Sequence, residues 1–222
     1  MLRIRFFLAA LFAGATWCVA QSAKPVEVAP GVTLPTNGDG TVYVLDQATS
    51  GPSLVHVKPH EVVLDTHAVG NFWRAQILAG GHAGAVLHTL QSEAAVASTK
   101  SVVFVHVGGE TAELMKSRVH LVWLDADQGK KERVVAEFTY NSFGGHHRRN
   151  VYEVPASTEM MEGTDWMKIT PNEPLSPGEF AIVFLPADVN QLPDAAYDFS
   201  IAGGAKEGGG SKYASKETGA QK

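Results

Sequence analysis

Apolar residues recur at every second position in a series of short segments of this chain, and no segment keeps a period of 3.6 residues for long. A two-residue period places alternate side chains on opposite faces of an extended strand, so it predicts β-structure. Turn-forming residues separate the segments. A parallel α/β fold needs crossover helices, and the chain offers no stretch that would build them. We therefore expect an all-β fold, an antiparallel β-sandwich of the Ig-like or jelly-roll-like kind.

The pattern predicts short strands over most of the chain. They are Thr41–Asp46, Ser53–Val57, Glu61–Asp65, Phe72–Leu78, Ala85–Leu90, Val102–Val107, Arg118–Leu124, Val134–Tyr140, Val151–Val154, Trp166–Ile169, Phe180–Leu185 and Tyr197–Ile201. Two further segments predict one or two short helical turns: Thr111–Lys116, with Thr111 as its cap, and Asp188–Leu192. Within Arg118–Leu124, the period assigns Val119, Leu121 and Trp123 to one face and Val122 and Leu124 to the other.

The first residues, 1–20, have the order of a secretory signal peptide. Arg3 and Arg5 precede a short apolar run, and Cys18 and Ala20 are small residues at the spacing that signal peptidase accepts. We place cleavage after Ala20, with a site near Ala23 as the alternative, and expect a periplasmic or extracellular protein. The run is shorter than the ~20 residues that span a bilayer, so no transmembrane segment is expected in the mature chain. Removal of Cys18, the one cysteine, excludes disulfides and thiolate chemistry.

Residues 21–202 are expected to form a single β-sandwich domain, and residues 203–222 a flexible tail rich in glycine and lysine. The whole chain has 18 basic and 23 acidic residues. Without the two arginines of the signal peptide and the four lysines and two glutamates of the tail, 12 basic and 21 acidic residues remain, a charge of −9. Nucleic acid is therefore not an expected partner, because phosphate contacts require clustered Lys and Arg. The basic tail favours a protein or an anionic envelope polymer as the kind of partner to consider.

Two stretches resemble parts of secreted bacterial β-sandwich proteins of unknown function. DWMKITPNEPLSPGEFAIVF, from Asp165 to Phe184, resembles their closing hairpin, with Pro177 and Gly178 at the turn. VHLVWLDADQGKKERVV resembles a strand, a charged turn and a second strand. The resemblance covers roughly Ser101 to Pro186. It implies a sandwich architecture and brings no activity with it.

The short motifs that suggest chemistry do not complete a known site. His60-Glu61 lacks a second histidine four residues on, so it predicts a strand whose His and Glu face solvent. Asp125–Gly129 departs from the calcium-loop pattern and predicts a charged hairpin turn. Gly80–Gly84 is interpreted as a connection between strands, and the chain contains neither a nucleophile elbow nor a phosphate loop. No catalytic residue, metal site or cofactor is predicted.

Four of the nine histidines lie on predicted strands: His56, His88, His106 and His120. Each alternates with apolar neighbours, so each is expected on one face of a sheet. They could share a metal ion only if their strands adjoin, because a metal site needs at least three converging ligands.

The candidate binding residues are His146, His147, Arg148 and Arg149, at the end of a ten-residue insert, Asn141 to Asn150, between two predicted strands. In an extended chain the two imidazoles point to opposite sides, and the arginines repel a cation. Glycine amides and a guanidinium fork instead favour an anion such as a carboxylate or a phosphate. The alternative is that the arginines pair with the acidic domain's own carboxylates.

Three functional hypotheses follow. The first is an exported, non-enzymatic β-sandwich module that binds or scaffolds in the periplasm or the cell envelope. The second, motivated by the histidine count, is a sandwich-fold hydrolase or lyase with a site of His, Arg and carboxylates on a sheet face. The third is a metal-binding protein that uses His146 and His147. Histidines and carboxylates that converge in a concave pocket would favour the second hypothesis.

Overall fold

A computed structural model describes residues 25–36, 41–65, 81–108, 111–127, 129–140, 147–202 and 216–218 of the chain. The described part is mostly β-structure arranged in antiparallel sheets, so the all-β prediction is confirmed. The strands are β1 Val26–Ala29, β2 Val32–Leu34, β3 Val42–Ala48, β4 Gly51–Val57, β5 Pro59–Glu61, β6 Val63–Leu64, β7 Gly81–Leu87, β8 Ala94–Val96, β9 Val102–His106, β10 Val119–Asp127, β11 Glu132–Tyr140, β12 His147–Val151, β13 Ala156–Met160, β14 Trp166–Pro171, β15 Gly178–Phe184, β16 Ala195–Ile201 and β17 Lys216–Thr218.

One helix, α1 at Ala112–Arg118, lies in the described part of the chain, with Thr111 at its N-cap position. This agrees with the predicted helical turn, although the Thr111 side chain makes no capping hydrogen bond. The second predicted turn of helix is wrong. Residues 188–192 form a hydrogen-bonded turn, in which Gln191 N donates to Asp188 O.

One sheet nearly closes on itself like a barrel. β10 pairs with β15, β15 with β16, and β16 with β5. On the other side β6 pairs with β7, β7 with β11, and the first residues of β11 with the end of β10. β5 and β6 follow one another around Val62, so residues 59–65, which we call the closing segment, join the two sides. The interior is filled by a group of buried apolar side chains: Val62, Ala83, Ala85, Leu87, Val122, Leu124, Val135, Ala136, Phe138, Val151, Ala181, Val183, Leu185 and Ala196.

A second sheet has the strand order β13-β14-β9-β3-β4. A larger apolar core takes side chains both from this sheet and from the outer face of β10, β15 and β16: among others Val44, Val105, Ile169, Leu121, Ile182 and Phe199. β15 therefore has apolar partners on both faces, and six of its seven residues are buried. The predicted division of β10 is confirmed, since Val119, Leu121 and Trp123 join the larger core while Val122 and Leu124 enter the barrel-like sheet.

The hairpin β1–β2 covers the opposite face of the second sheet. Leu34 on β2 packs in one cluster with Leu45, Phe104 and Trp166. In their strands these three residues are next to residues of the larger core, so their side chains lie on the other face of the sheet. The hairpin and the turn before β14 frame a cleft over this face.

Several predicted boundaries differ from the structure. β7 begins at Gly81, inside the stretch interpreted as a connection, because main-chain pairing with β11 does not need the large apolar side chains that reveal a strand in a sequence. β12 likewise begins at His147 and ends at Val151, so the predicted strand 151–154 is displaced. The charged hairpin is confirmed by the pairing of Asp127 with Glu132, but its turn begins later than predicted, because Asp125–Asp127 still belong to β10. Phe72–Leu78 lies outside the described residues.

Residues 216–218 of the predicted tail form β17, which pairs antiparallel with β12. The prediction of a flexible tail did not include this pairing. The remainder of the tail and the predicted signal peptide lie outside the described residues.

Candidate functional site

The described side chains that bring opposite charges together in the interior are Arg133, Glu179, Asp198 and His60, which we call the ionic cluster. They come from β11, β15, β16 and β5. Glu179 and Asp198 each stand two residues from an alanine of the barrel-like interior, so their side chains enter the same space. Arg133 is 0%, Asp198 1% and Glu179 4% exposed. Four strands thus deliver ionisable groups to one buried point.

Arg133 is the centre of the cluster. Its Nη1 donates to Glu179 Oε2 at 2.7 Å, and its Nη2 donates to Asp198 Oδ2 at 2.7 Å. The remaining contacts go to Thr89, where Nη2 meets Oγ1 at 2.7 Å and Nε meets the main-chain oxygen at 2.9 Å. A buried guanidinium needs this number of acceptors, because each N–H left without one costs its desolvation energy.

Glu179 and Asp198 are held from the other side by Ser92. The Ser92 N–H donates to Glu179 Oε2 at 2.9 Å, and Ser92 Oγ donates to the main-chain oxygen of Asp198 at 2.6 Å. Burial raises the pKa of Glu179 above its ordinary value, and the hydrogen bond from Ser92 and the charge of Arg133 offset this only in part. The two hydroxyl groups of the network, on Thr89 and Ser92, are thereby engaged within the protein.

His60 is the one member of the ionic cluster that reaches solvent, with 31% of its side chain exposed. Its Nδ1 lies in short contact with Asp198 Oδ1. The predicted strand at His60-Glu61 is confirmed as β5, but His60 bonds to a buried carboxylate and does not simply face solvent. A carboxylate on Nδ1 is also how enzymes and metal sites orient a histidine. Among the described residues, however, no group of three His, Cys, Asp or Glu side chains is placed to hold a metal ion.

The sequence carries a signal for the ionic cluster that the apolar period does not show. Glu179 and Asp198 occupy inward positions of strands whose other residues are mostly apolar, and Arg133 stands at the start of another such strand. A charged residue in a strand buried on both faces needs a buried partner. Which partner it meets is decided by the order of the strands.

Three of the clefts formed by the described residues have a defined lining, and the ionic cluster lines none of these three. The first, of about 300 Å³, has His106 at its base beside Trp166, with Thr164 and Asp165 from the turn before β14. The His106 ring meets Trp166 edge-on at 4.9 Å, and His106 is 7% exposed. This cleft contains one imidazole and one nearby carboxylate.

The second cleft, of about 280 Å³, is acidic. Asp65, Asp127, Glu132 and Glu137 line it together with Lys130, whose Nζ lies 2.9 Å from Asp65 Oδ2. The hydrogen bond to Asp65 raises the pKa of Lys130. The lysine thus neutralises part of the acidic lining from within the chain. The third cleft, of about 230 Å³, runs between residues 99–102 and 170–174.

Of the four residues predicted to contact an anion, Arg148 and Arg149 lie on opposite sides of β12. His146 lies outside the described residues, and His147 begins β12. Arg148 is exposed, whereas Arg149 is 4% exposed and points to the other side of the strand. Arg149 Nη2 donates to Pro186 O at 2.9 Å and its Nη1 to Gln191 O at 3.3 Å.

Burial lowers the pKa of Arg149, and the guanidinium fixes the turn between β15 and β16. Because β12 starts at His147, the insert after β11 is six residues long, 141–146, and not ten. The interpretation of the site as an anion-contacting loop stays a prediction for His146, His147 and Arg148.

The strand histidines have separate partners. His120 Nδ1 lies 3.1 Å from Glu153 Oε1, and His88 Nδ1 lies 3.0 Å from Glu132 Oε1. The His56 ring lies 5.0 Å from Tyr43 in a tilted arrangement, and the His106 ring contacts Trp166. Tyr43 and Trp166 are 5.9 Å apart, so two aromatic rings stand between these two histidines. These four side chains do not converge.

No protein-family model matches this sequence, and comparison with curated proteins and with solved structures finds no match. In the part of the chain that the structure describes, no helix has the length and the apolar content needed to cross a membrane.

Proposed function

We propose that the chain is an exported, non-enzymatic β-sandwich module that binds or scaffolds in the periplasm or the cell envelope. The observation that carries this proposal is the closure of the ionic cluster. Arg133, Glu179 and Asp198 are the His/Arg/carboxylate type of group that hydrolytic chemistry uses, yet they bond to one another and to the chain. Buried charges that are saturated by protein partners stabilise or specify a fold, and they have no room for a substrate.

The sandwich architecture is supported by the larger apolar core. It takes Val105 and Ile169 from one sheet and Leu121, Ile182 and Phe199 from the other, which is the arrangement expected when two sheets face each other. The leader-like first twenty residues and the acidic charge of the domain support export and a partner other than nucleic acid.

One observation favours the hydrolase or lyase alternative. His106 lies at the base of the first cleft, within a lining that also includes Asp165. A general base in a cleft beside a carboxylate is a minimal requirement for proton transfer from a bound substrate. If the chain is an enzyme, His106 is the residue on which its turnover would depend.

The two readings are separated by turnover measurements on the purified mature chain. The panel comprises peptide, ester and glycoside substrates and uronate-containing polysaccharides, and we expect no turnover above the buffer rate. The variants are His106→Ala and His60→Ala, with His56→Ala as the matched control because His56 is exposed and lines none of the three clefts. Turnover that disappears in His106→Ala and persists in His56→Ala would refute the proposal and establish the alternative.

A further inference from the structure

We propose that the ionic cluster holds one exchangeable proton, and that loss of this proton releases the closing segment and opens the barrel-like sheet along β5. The device would make the sheet's closure depend on pH. It rests on the charges and contacts of Arg133, Glu179, Asp198 and His60, and it holds whether or not the chain is an enzyme.

The charges of the ionic cluster do not balance without a proton. One guanidinium faces two carboxylates that are 4% and 1% exposed, so the ionised groups sum to −1 in the interior. An uncompensated buried charge is strongly unfavourable. One proton held within the cluster brings the sum to zero. The closed sheet therefore binds a proton more tightly than the open sheet does.

The environment of Glu179 also favours a bound proton in the closed sheet. Burial raises the pKa of this carboxyl group, so the folded interior favours a bound proton there as well. Asp198 lies close enough to contribute to the rise, while Arg133 opposes it. The proton is shared by the cluster as a unit and is not the property of one residue.

The closing segment is where the barrel-like sheet is paired least. β5 pairs with β16 over three residues and β6 pairs with β7 over two, so the closing segment is held by short pairings on both sides. β10 and β11 are also paired over three residues, whereas β10 with β15 and β15 with β16 are each paired over six. His60 is the side chain that ties β5 to the buried carboxylates. When the proton leaves, the −1 charge of the cluster favours hydration, and β5, which carries His60 and is paired over only three residues, is the strand that yields.

The other charged groups around the closing segment are exposed or paired elsewhere. Lys58 and Glu93 lie 3.6 Å apart with side chains 68% and 74% exposed, and Glu61 is exposed. Asp65 is bonded to Lys130. Burial raises the pKa of Tyr197, opposite Pro59, above its ordinary value of 10, so this phenol does not titrate between pH 5 and 8.

Hydrogen–deuterium exchange on the mature chain tests the proposal. Exchange is followed between about pH 5 and pH 8 and corrected for the intrinsic rate of each amide. We expect the protection of the amides within residues 59–64, of which Pro59 has none, to fall by up to about tenfold per pH unit while the closed form still holds the proton and the open form has lost it, because opening in that window releases one proton. The protection of residues 178–183, in the middle of the sheet, should not show this dependence on pH.

Glu179→Gln is the decisive variant. It leaves one positive and one negative charge, which balance without a proton, and glutamine still has an oxygen to accept from Ser92 and Arg133. Protection of residues 59–64 should then become independent of pH and exceed that of the wild type at least tenfold at pH 8. His56→Gln is the matched control and should keep the wild-type dependence.

Two results overturn the proposal. The first is wild-type protection of residues 59–64 that stays constant over the range. The second is a Glu179→Gln protein that keeps the wild-type slope. If Glu179→Gln does not fold, the wild-type measurement decides alone, and the pH dependence of local opening must still report about one proton.

Discussion

At the scale of single residues, the protein depends on a few charged side chains in places that apolar residues usually occupy. Arg133 is fully buried and bonds to two carboxylates, and Arg149 is nearly so and bonds to main-chain oxygens. Both arginines stand in strands and not at the surface, where most arginines lie. Each joins segments that are distant in the sequence.

Replacement of Arg133 by methionine should destabilise the fold severely. It leaves Glu179 and Asp198 together without a counter-charge, and the loss of one partner from a buried ion pair costs about 3–5 kcal/mol. The free energy of unfolding, from urea titration at pH 7, measures this. Arg148→Met is the matched control on an exposed position of β12, and it should change the free energy by less than about 0.5–1 kcal/mol. Equal effects from the two variants would show that the ionic cluster is not needed for stability.

At the scale of elements, β15 shows how one strand serves two cores. Its residues alternate between the barrel-like interior and the core shared with the second sheet, and both faces are apolar apart from Glu179. In a sequence, such a strand appears as a continuous apolar run and loses the alternation that reveals which face is buried.

Truncation on either face of β15 should therefore be costly. Ile182→Ala should lower the free energy of unfolding by about 2–5 kcal/mol through the cavity that it leaves in the larger core. Val183→Ala should cost about 2 kcal/mol on the opposite face, from lost methyl groups and a smaller cavity. Ser157→Ala on β13, which is exposed, is the control and should stay within about 0.5 kcal/mol. A neutral result for Val183→Ala would mean that the barrel-like interior is loosely packed.

The C-terminal strand should contribute little to stability. β17 has three residue pairs with β12, and the net gain of ~0.5–1.5 kcal/mol per hydrogen bond is offset by ~1–2 kcal/mol of ordering entropy per residue. Deletion of residues 203–222 should change the free energy of unfolding by less than about 1 kcal/mol, because the two terms are of similar size. Urea titration of the mature chain with and without the tail provides the comparison. A loss above about 3 kcal/mol would make the tail part of the folded domain, since the pairing of three residues does not account for it.

At the scale of the whole molecule, the expectation of export comes from the first residues of the chain and from the position of its one cysteine. The first twenty residues have the charge and apolar order of a secretory leader, and the chain that remains has no cysteine. Neither property depends on how the domain folds.

The exported protein should begin at Gln21. Expression of the full chain in a bacterium, followed by mass spectrometry of the periplasmic fraction, should give the mass of residues 21–222 and none of the precursor. Ala20→Asp should abolish this product, because signal peptidase requires a small residue before the cut. A chain that keeps Met1 in the cytoplasmic fraction would contradict export, and a chain that begins at Lys24 would move the site to Ala23.

Much of the fold could be predicted from local pattern, and little of the candidate site could. The division of β10 into two faces, the charged turn before β11 and the helical turn at α1 follow from the spacing of neighbouring residues. β7 and β12 were misplaced at their ends because glycine, histidine and arginine carry no apolar period. Arg149 was assigned to a loop, although its place two residues before Val151 puts both on the buried side of one strand.

The sequence by itself determined the extended character of the chain, the alternation of its faces, its acidic charge and its leader-like start, because each of these depends on residues that are close together in the chain. The tertiary structure alone decided that strands from four distant segments meet at the ionic cluster. His60 and Asp198 are 138 positions apart, and Arg133 and Asp198 are 65 apart. The apolar period indicates which side of a strand a charged residue occupies. The order of the strands decides which residue lies opposite it, and that order depends on burying the apolar faces of all the strands at once.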